Sequence, residues 1–225
     1  MSKIVLATQN PGKIAELQSL LKDSSIDIIG LDSFERAFEE PTEDGETFLD
    51  NATIKAIAYA KATGMCCLAD DSGLIVDALN GRPGVISSHY AFDGDTDGEA
   101  ATMNRAQRDV LNGERVLKEL RDVPDEDRSA RFTCTMVLAD PSGKVHATAV
   151  GAFEGRIVRE DQVPMGENGF GYDPLFLVEP GFERTSAQMN PSEKNAVSHR
   201  GKAVKQMIEI ISRMEHESES VFKYN

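Results

Sequence analysis

CCLADDSGLIVDAL, the sequence of Cys66–Leu79, places two adjacent carboxylates, a hydroxyl and a glycine between apolar runs. Apolar runs on both sides are typical of a buried strand in a sheet that is covered on two faces. Side chains alternate between the faces of a strand, so we expect Asp70 and Asp71 to point in opposite directions. A buried, unpaired carboxylate is costly, which predicts a metal ion, a lysine or backbone donors beside each one. The alternative is a turn or capping cluster at a strand end, since Asp-Ser-Gly is common in turns.

The chain has 225 residues, enough for one large domain or two closely joined lobes with a sizeable core. Its sequence has no apolar run near the length of about 20 residues that spans a bilayer, and the N-terminal apolar run is too short for a signal peptide. The three cysteines, Cys66, Cys67 and Cys134, lie in strand-like runs, and we expect three buried, reduced thiols. Together these features predict a cytoplasmic protein without a membrane partner.

The formal net charge is −14, from 24 Lys and Arg against 38 Asp and Glu. Nucleic-acid binding rests on clustered basic residues, so this balance argues against a nucleic-acid partner. A small anionic substrate is still compatible with the charge, provided that local cations, helix N-termini or a divalent metal offset the background field.

The first thirty residues predict a βαβ unit, with strands at Lys3–Thr8 and Ile26–Leu31 and a helix at Ile14–Leu21. Lys13 falls in the first helical turn, where the helix dipole disfavours a cation. A bound anion such as phosphate explains a lysine at this place, because helix N-termini expose backbone donors. A solvated loop lysine is the alternative.

An acidic loop, Glu39–Glu46, leads into an amphipathic helix for which Thr47 is the expected N-cap. Asn51 and Lys55 lie one turn apart on one face of this helix and should point the same way. Acidic loops are usually only solvated, but Glu43 is also suited to an oxygen-ligand metal site, which needs carboxylates from separate segments. The predicted apolar face of the helix consists of Leu49, Ala52, Ala56, Tyr59 and Ala60.

A polar loop at Asp93–Gly98 copies the first half of an EF-hand calcium loop. Asn104 stands at the twelfth position, where calcium needs a bidentate glutamate, so we interpret the loop as a helix cap rather than a calcium site. We expect one helix from Glu99 to about Val110 and a second, short helix at Arg115–Arg121.

The second half of the chain begins with a predicted hairpin whose strands are Arg131–Asp140 and Lys144–Phe153. The stretch GENGFGYDP at Gly166–Pro174 follows, and its glycines let the backbone approach a ligand while aromatic faces stay available. An ordinary glycine-rich loop before a strand at Leu175–Val178 is the alternative.

Ser198 is the expected N-cap of a C-terminal helix. His199, Arg200 and Lys202 crowd cations at its N-terminus, against the helix dipole. A lone histidine is usually structural, but three cations at this helix end are harder to explain without a function. We expect residues 1–214 to form one domain and the acidic segment 215–225 to be a frayed tail. The predicted apolar face of the helix consists of Val204, Met207, Ile208 and Ile211.

Five motifs together resemble the inosine triphosphate pyrophosphatase family, also called the Ham1-like family. They occur in the order of the family and span residues 3 to about 212, nearly the whole chain. The motifs are TQNPGK at Thr8–Lys13, EDGETF at Glu43–Phe48, ADDSG at Ala69–Gly73, GFGYDP at Gly169–Pro174 and SHRG at Ser198–Gly201.

The resemblance implies an α/β fold, with a long curved mixed sheet flanked by helices, two lobes, an active site in the central cleft and a homodimer. It implies Mg²⁺-dependent hydrolysis of ITP, dITP or XTP to the monophosphate and pyrophosphate, which clears deaminated purines from the nucleotide pool. Glu43 and Asp71 resemble metal ligands, and Asp71 also resembles the proton acceptor for the attacking water. Lys13 and Lys55 resemble the lysines that reach the phosphates, and Lys13 is the second expected catalytic residue. The triphosphate is expected to lie on Thr8, Gln9, Asn10, Pro11, Gly12 and Lys13.

The resemblance also implies a group of base-binding residues. Lys194, His199 and Arg200 are expected to recognise the 6-keto oxygen of the purine, because cationic donors suit a keto oxygen and would face another donor in adenine. Guanine has the same keto oxygen, so its rejection must come from the 2-amino side, and Asp173 or its loop is our hypothesis for that step. The further residues implied to contact substrate are Ser72, Phe170, Gly171, Tyr172 and Asp173.

Two features depart from the family pattern. Ser87-Ser88-His89-Tyr90 stands where many relatives carry an arginine, which leaves the contacts of that turn open. The segment Phe92–Gly113 is longer than usual and is expected to alter the cleft rim or the dimer contact.

The rival function is a non-catalytic nucleotide-binding or sensor protein on the same fold. Such a protein is expected to have lost a metal carboxylate or the cleft lysine, whereas Glu43, Asp71 and Lys13 are all present. A pyrophosphatase for modified pyrimidine or methylated nucleotides is expected to lack the Ser-His-Arg motif. A phosphatase would instead release orthophosphate, which analysis of the products distinguishes.

Overall fold

The computed structural model describes residues 3–22, 24, 26–162 and 165–222, and the side chains of the last helix as far as residue 214. Short 3-10 turns connect several of the elements. The strands and helices are β1 (Ile4–Leu6), α1 (Pro11–Leu21), β2 (Ile28–Gly30), α2 (Phe48–Thr63), β3 (Cys67–Val76), α3 (Gly98–Thr102), α4 (Arg105–Glu119), β4 (Ser129–Ala139), β5 (Val145–Ile157), β6 (Phe176–Val178), α5 (Pro191–Val197) and α6 (His199–Phe222).

The six strands form one mixed sheet in the order β2-β1-β3-β4-β5-β6. β1 pairs in parallel with β2, with Ile4 opposite Ile28, and in parallel with β3. The predicted βαβ unit is therefore confirmed, as is the α/β fold class. β5 pairs antiparallel with β6, which makes the sheet mixed. The hairpin prediction is also confirmed, since β4 and β5 are neighbours joined by a turn at Gly143, whose φ is +90°.

The chain divides into two compact units. Unit 1 consists of residues 1–71, 134–151 and 200–225, and unit 2 of residues 72–133 and 152–199. Because the division falls within β3, β4 and near the centre of β5, these strands contribute residues to both units.

In unit 1, alternate residues of the strands pack against different helices. Ile4, Leu6 and Leu68 share a core with α1 and α6. Val5, Cys67 and Ala69 share another with α2. Period-two alternation of this kind means that both faces of the sheet are covered here. Asp70 continues the α1 and α6 face, and Asp71 continues the α2 face, as the sequence predicts.

Unit 2 has its own core, to which α4, β3, β4, β5 and β6 contribute. Leu74 and Val76 of β3 and Leu117 of α4 belong to it, together with the fully buried ring of Phe176. Asn112 on α4 holds the segment 88–91 against the helix. Its side chain accepts from Ala91 N at 2.7 Å and donates to Ser88 O at 3.1 Å.

Two helix predictions in the 92–121 region are wrong. The segment holds α3 and a separate α4, which runs unbroken from Arg105 to Glu119. Asn104 starts the new helix with a capping box, in which its side chain accepts from Gln107 N and the Gln107 side chain accepts from Asn104 N. Gly113 lies inside α4 without breaking it, and a Cβ at this position would come within 3.0 Å of Leu175 Cδ1.

The C-terminal predictions are partly wrong. A short helix that the sequence did not predict, α5, precedes the last helix. Ser198, in extended conformation directly before His199, stands at the predicted N-cap position of α6. The backbone of α6 continues to Phe222, so the expected tail is helical that far, which is reasonable because Gly and Pro are absent after Gly201. Residues 223–225 lie outside the described part of the chain.

Most of the predicted apolar helix faces are buried, with two exceptions. Leu49, in the first turn of α2, is 46% exposed, and Ile208 of α6 is only partly buried. None of the described helices is long and apolar enough to cross a membrane.

Candidate active site

The loop before α1 is held by its own side chains. Asn10 is the N-cap, and its side chain accepts from Gly12 N at 3.0 Å and Lys13 N at 3.4 Å. Thr8 Oγ1 accepts from Asn10 N at 3.3 Å, and Pro11 occupies the first helical position, which suits its fixed φ. These contacts fix a short turn that places Lys13 in the first turn of the helix, as predicted.

Gln9 is turned toward α2 and the loop before it. Its side-chain nitrogen donates to Phe38 O at 2.9 Å and to the Tyr59 hydroxyl at 3.1 Å. The described contacts of Gln9 are therefore internal, and a role on the triphosphate stays a prediction.

Asp70 lies fully buried among cations. Lys13 Nζ is 3.0 Å from Asp70 Oδ2, and the Arg200 guanidinium is 3.4 Å from the same oxygen. Arg200 is also paired with Glu16 of α1. Burial alone raises the pKa of Asp70, but Lys13 and Arg200 outweigh it and hold the pKa well below its usual range. The lowered pKa means that Asp70 is ionised near neutral pH, where it holds the two cations together.

The same contacts change the interpretation of Lys13. Its side chain is only 11% exposed, so the solvated-lysine alternative is wrong. In the structure, the anion beside this cation is the Asp70 carboxylate. Arg200, at the start of α6, follows the same rule, since it faces two carboxylates. Its placement against the helix dipole is offset by these partners.

Asp71 lies on the opposite face of β3, against Lys55 of α2. Lys55 Nζ is 2.7 Å from Glu43 Oε2 and 3.4 Å from Asp71 Oδ1. The predicted convergence of Glu43 and Asp71 is therefore present. Asn51, one turn before Lys55, accepts from Gly45 N at 2.8 Å and so fastens the acidic loop to the helix.

The protonation properties of this cluster differ from those around Asp70. Burial raises the pKa of Asp71, and Lys55 and Lys13 offset only part of that effect. Burial acts to lower the pKa of Lys55, but Asp71 and Glu43 outweigh it and raise the pKa, so the ammonium keeps its proton. Two neighbouring carboxylates thus have pKa values shifted in opposite directions, a pattern that separates a proton acceptor from an electrostatic anchor.

The donor set around Lys55 suits a hard divalent cation. Asp71 Oδ2 is buried and finds no hydrogen-bond partner among the described residues. Mg²⁺ typically takes one or two protein carboxylates and fills its other positions with waters and substrate phosphates. In the described part of the chain, His, Cys, Asp and Glu form no group of three that could hold a metal. Glu43 and Asp71 could supply the two protein carboxylates of such a site.

Unit 2 holds the glycine-rich loop and its partners. The buried Asp173 carboxylate accepts from Lys194 Nζ at 2.7 Å and from Phe170 N at 2.8 Å, and it also accepts from the Ser186 hydroxyl. Lys194 Nζ lies 5.4 Å from the centre of the Phe170 ring. Asp173 thus binds both the glycine-rich loop, through Phe170 N, and Lys194 of α5.

Sequence reasoning missed two residues of α4 that contact this loop. The Arg105 guanidinium lies 5.1 Å from the centre of the Phe170 ring, and Asp109 Oδ2 accepts from Gly171 N at 3.0 Å. The signal was available, since Arg105 is another cation at a helix N-terminus. It was missed because the predicted helix began at Glu99 instead of Arg105.

Other predicted base-binding residues have structural contacts. Tyr172 is buried and its hydroxyl donates to Ser87 O at 2.7 Å. The His199 ring stacks on Phe132, with centroids 5.1 Å apart and planes 20° apart. Ser72, which follows Asp71 directly in β3, is half-buried in unit 2. Arg200 belongs to unit 1 and Lys194 and His199 to unit 2, so their joint recognition of a keto oxygen stays a prediction.

The three cysteines are free, as expected, but Cys66 is only half-buried. Cys67 and Cys134 are fully buried, and burial raises their pKa values to about 11 and about 12. They are therefore inert thiols near neutral pH.

Comparison with known proteins gives a consistent assignment. Residues 4–210 match the model of the Ham1 family. A protein of Desulforamulus reducens named dITP/XTP pyrophosphatase is 46% identical, over 94% of this chain and 96% of its own length. A protein of the same name from Coxiella burnetii is 45% identical over 94% of this chain and 98% of its own length.

Solved structures agree with these relatives. The structure of a HAM1 protein from Coxiella burnetii superposes with a TM-score of 0.78 at 44% identity, covering 95% of this chain and all of that one. The Ham1 protein of Staphylococcus aureus gives a TM-score of 0.75 at 34% identity, covering 94% of this chain and 99% of its own. From the family model, the relatives and the shared fold, we conclude that this chain belongs to the Ham1 family.

Proposed function

We propose that this protein is a nucleoside triphosphate pyrophosphatase that hydrolyses the non-canonical purine nucleotides ITP, dITP and XTP to the monophosphate and pyrophosphate. The observation that carries the proposal is the convergence of Glu43 and Asp71 on Lys55. The names of the relatives, dITP/XTP pyrophosphatase, support the substrate class. The activity would remove deaminated purines from the nucleotide pool.

Asp71 is the proposed proton acceptor. A water molecule attacks the α-phosphorus, the bond from that phosphorus to the bridging oxygen breaks, pyrophosphate leaves, and the water proton passes to Asp71. Burial keeps the pKa of Asp71 above its usual value, which makes it a better base than a solvated aspartate. Asp70, with its lowered pKa and its two cationic partners, is unsuited to accept that proton.

Mg²⁺ is the proposed cofactor, held by Glu43 and Asp71. When bound, it would polarise the phosphoryl oxygens and offset charge on an acidic protein. Lys55 keeps the two carboxylates together, because its ammonium contacts both. Lys13 and Lys55 would neutralise the phosphates and the leaving pyrophosphate. The turn from Thr8 to Gly12 would supply backbone donors to the same phosphates.

The base is proposed to bind to the unit 2 residues. Phe170 offers an aromatic face for stacking, and Gly171 lets the backbone come close. Lys194, whose ammonium is oriented by Asp173, would donate to the 6-keto oxygen, together with His199 and Arg200. Ser72 and Tyr172 complete the proposed set of contacts.

Two finer features are also part of the proposal. The free thiols support a reducing compartment such as the cytoplasm. A homodimer follows from the resemblance to the family.

The non-catalytic sensor is the weaker candidate, because the residues whose loss it predicts, Glu43, Asp71 and Lys13, are present.

The test is steady-state hydrolysis of ITP, XTP, GTP and ATP with Mg²⁺, with chromatography of the products. We expect monophosphate and pyrophosphate from ITP and XTP, little turnover of GTP and ATP, and loss of activity in Asp71→Asn. Binding of ITP that needs Mg²⁺ but leads to no turnover would favour the sensor.

A further inference from the structure

Arg105 lies near the Phe170 ring and outside the five sequence motifs. It is the first residue of α4. Its guanidinium lies 5.1 Å from the centre of the ring. This separation is larger than the roughly 3.5–4 Å of a flat stacking contact, so the guanidinium is not packed flat against the ring. A base that stacks on Phe170 would therefore come within reach of the Arg105 N–H groups.

The hydrogen-bonding capacity of Arg105 is incompletely used. Its carboxylate neighbour Asp109 is 3.8 Å from Nε, beyond hydrogen-bond distance, and already accepts from Gly171 N at 3.0 Å. Nε is buried and finds no hydrogen-bond partner within the described ranges. The Arg105 side chain is 39% exposed, so a ligand can approach it. A cation with an unused donor is suited to an acceptor that arrives with the substrate.

Asp173, our first hypothesis for the rejection of guanine, is less suited to that role. Its carboxylate is already engaged by Lys194, Phe170 N and Ser186. An available carboxylate would moreover accept from the 2-amino group and so favour guanine. A donor that faces the 2-amino group would disfavour it, because a donor facing a donor leaves both unpaired.

We propose that Arg105 determines specificity by presenting N–H donors to the 2-position of the base. Xanthine carries an acceptor oxygen there and loses a ring proton more readily than hypoxanthine, so the guanidinium favours it. Hypoxanthine carries only hydrogen at that position and gains no hydrogen bond. Guanine carries a donor and is disfavoured. The order of preference is therefore XTP, then ITP, then GTP, and this inference rests on the proposed function and on the stacking of the base on Phe170.

The experiment compares wild type with Arg105→Ala, Arg105→Lys and the control Arg121→Ala. Arg121 is an exposed arginine of unit 2 whose partner is Glu160, so its removal tests general loss of charge. We measure kcat/KM for XTP, ITP and GTP. Arg105→Ala should lower the XTP-to-ITP ratio about tenfold, the scale of one charge-assisted hydrogen bond at a partly exposed site. It should also lower the ITP-to-GTP ratio. Arg105→Lys should keep part of the preference for XTP, and Arg121→Ala should leave both ratios unchanged.

The inference is overturned if Arg105→Ala lowers kcat/KM for all three nucleotides equally, since that result indicates only support of the loop. Calorimetric binding of XMP and IMP separates the inference from the proposed function. A drop in the XMP-to-IMP affinity ratio in Arg105→Ala, with a wild type that hydrolyses none of the triphosphates, would support the role of Arg105 and remove the proposed function. Unchanged affinity ratios would overturn the role of Arg105 even in an active enzyme.

Discussion

Replacing Lys55 by methionine tests the cluster that carries the proposed chemistry. The side chain of Lys55 is 7% exposed, and its ammonium is the described partner of both Glu43 and Asp71. Removing one partner of a buried ion pair typically costs about 3–5 kcal/mol. The Glu43 side chain is 30% exposed and can be hydrated in the variant, so we expect a loss of about 2–3 kcal/mol in the free energy of unfolding.

The same variant tests whether the two carboxylates can hold a divalent cation. Without the ammonium, Glu43 and Asp71 repel each other, and Mg²⁺ can take its place. A ligand present at about 100 times its Kd stabilises the folded state by about 2.7 kcal/mol. We therefore expect millimolar Mg²⁺ to raise the Tm of Lys55→Met more than the Tm of wild type. Combining Lys55→Met with Asp71→Asn should abolish this gain.

The assay is urea and thermal unfolding with and without Mg²⁺, followed by circular dichroism. Lys61→Met is the matched control, because Lys61 lies exposed on the same helix. We expect it to change the free energy of unfolding by less than about 0.5 kcal/mol. The reasoning is refuted if Lys55→Met is as stable as wild type, or if Mg²⁺ raises its Tm no more than that of the control.

Three further perturbations test other parts of the structure. Asp70→Asn leaves two buried cations without their shared carboxylate, and we expect a loss of about 3–5 kcal/mol in urea unfolding; a loss below about 1 kcal/mol would contradict the anchor role. Asn104→Ala removes the N-cap of α4 and should cost about 1 kcal/mol, seen as a lower Tm, whereas an unchanged Tm would place the start of the helix elsewhere. The thiols of Cys67 and Cys134 have raised pKa values of about 11 and about 12, against about 8.5 when unfolded, so the folded state retains protons that the unfolded state loses. The contribution of these thiols to the free energy of unfolding is fully present below about pH 8.5 and falls as the pH rises toward about 11 and about 12. Urea unfolding at pH 8 and at pH 10 should therefore show a smaller loss of the free energy of unfolding in Cys134→Ala than in wild type.

Local rules were enough to predict several features of the structure. The period-two pattern around Asp70 and Asp71 predicted a strand covered on both faces, and the two carboxylates do meet different lysines. Thr47 was recognised as an N-cap, and it forms a capping box with Asp50. These features depend on residues close in sequence, for which propensity and hydrogen bonding in one turn decide the outcome.

Other features depend on residues far apart in the chain. Arg200 reaches Asp70 across 130 positions of sequence, and no local pattern indicates which carboxylate such an arginine will meet. The sequence indicates that cations at helix N-termini are unusual, and it suggests a bound anion as the partner of Lys13. In the structure, Lys13 and Arg200 share a carboxylate of the protein itself, Asp70. Arg105 was missed for a different reason, because the start of α4 depends on a capping box that was overlooked.

The most direct test of the central claim is hydrolysis of ITP in oxygen-18-labelled water with Mg²⁺, followed by mass spectrometry of the products. If Asp71 activates water for attack on the α-phosphorus, the label will appear in IMP, the other product will be unlabelled pyrophosphate, and Asp71→Asn will lose about 100-fold or more in kcat. Label in pyrophosphate, release of orthophosphate and IDP, or an Asp71→Asn variant with full activity would contradict the account.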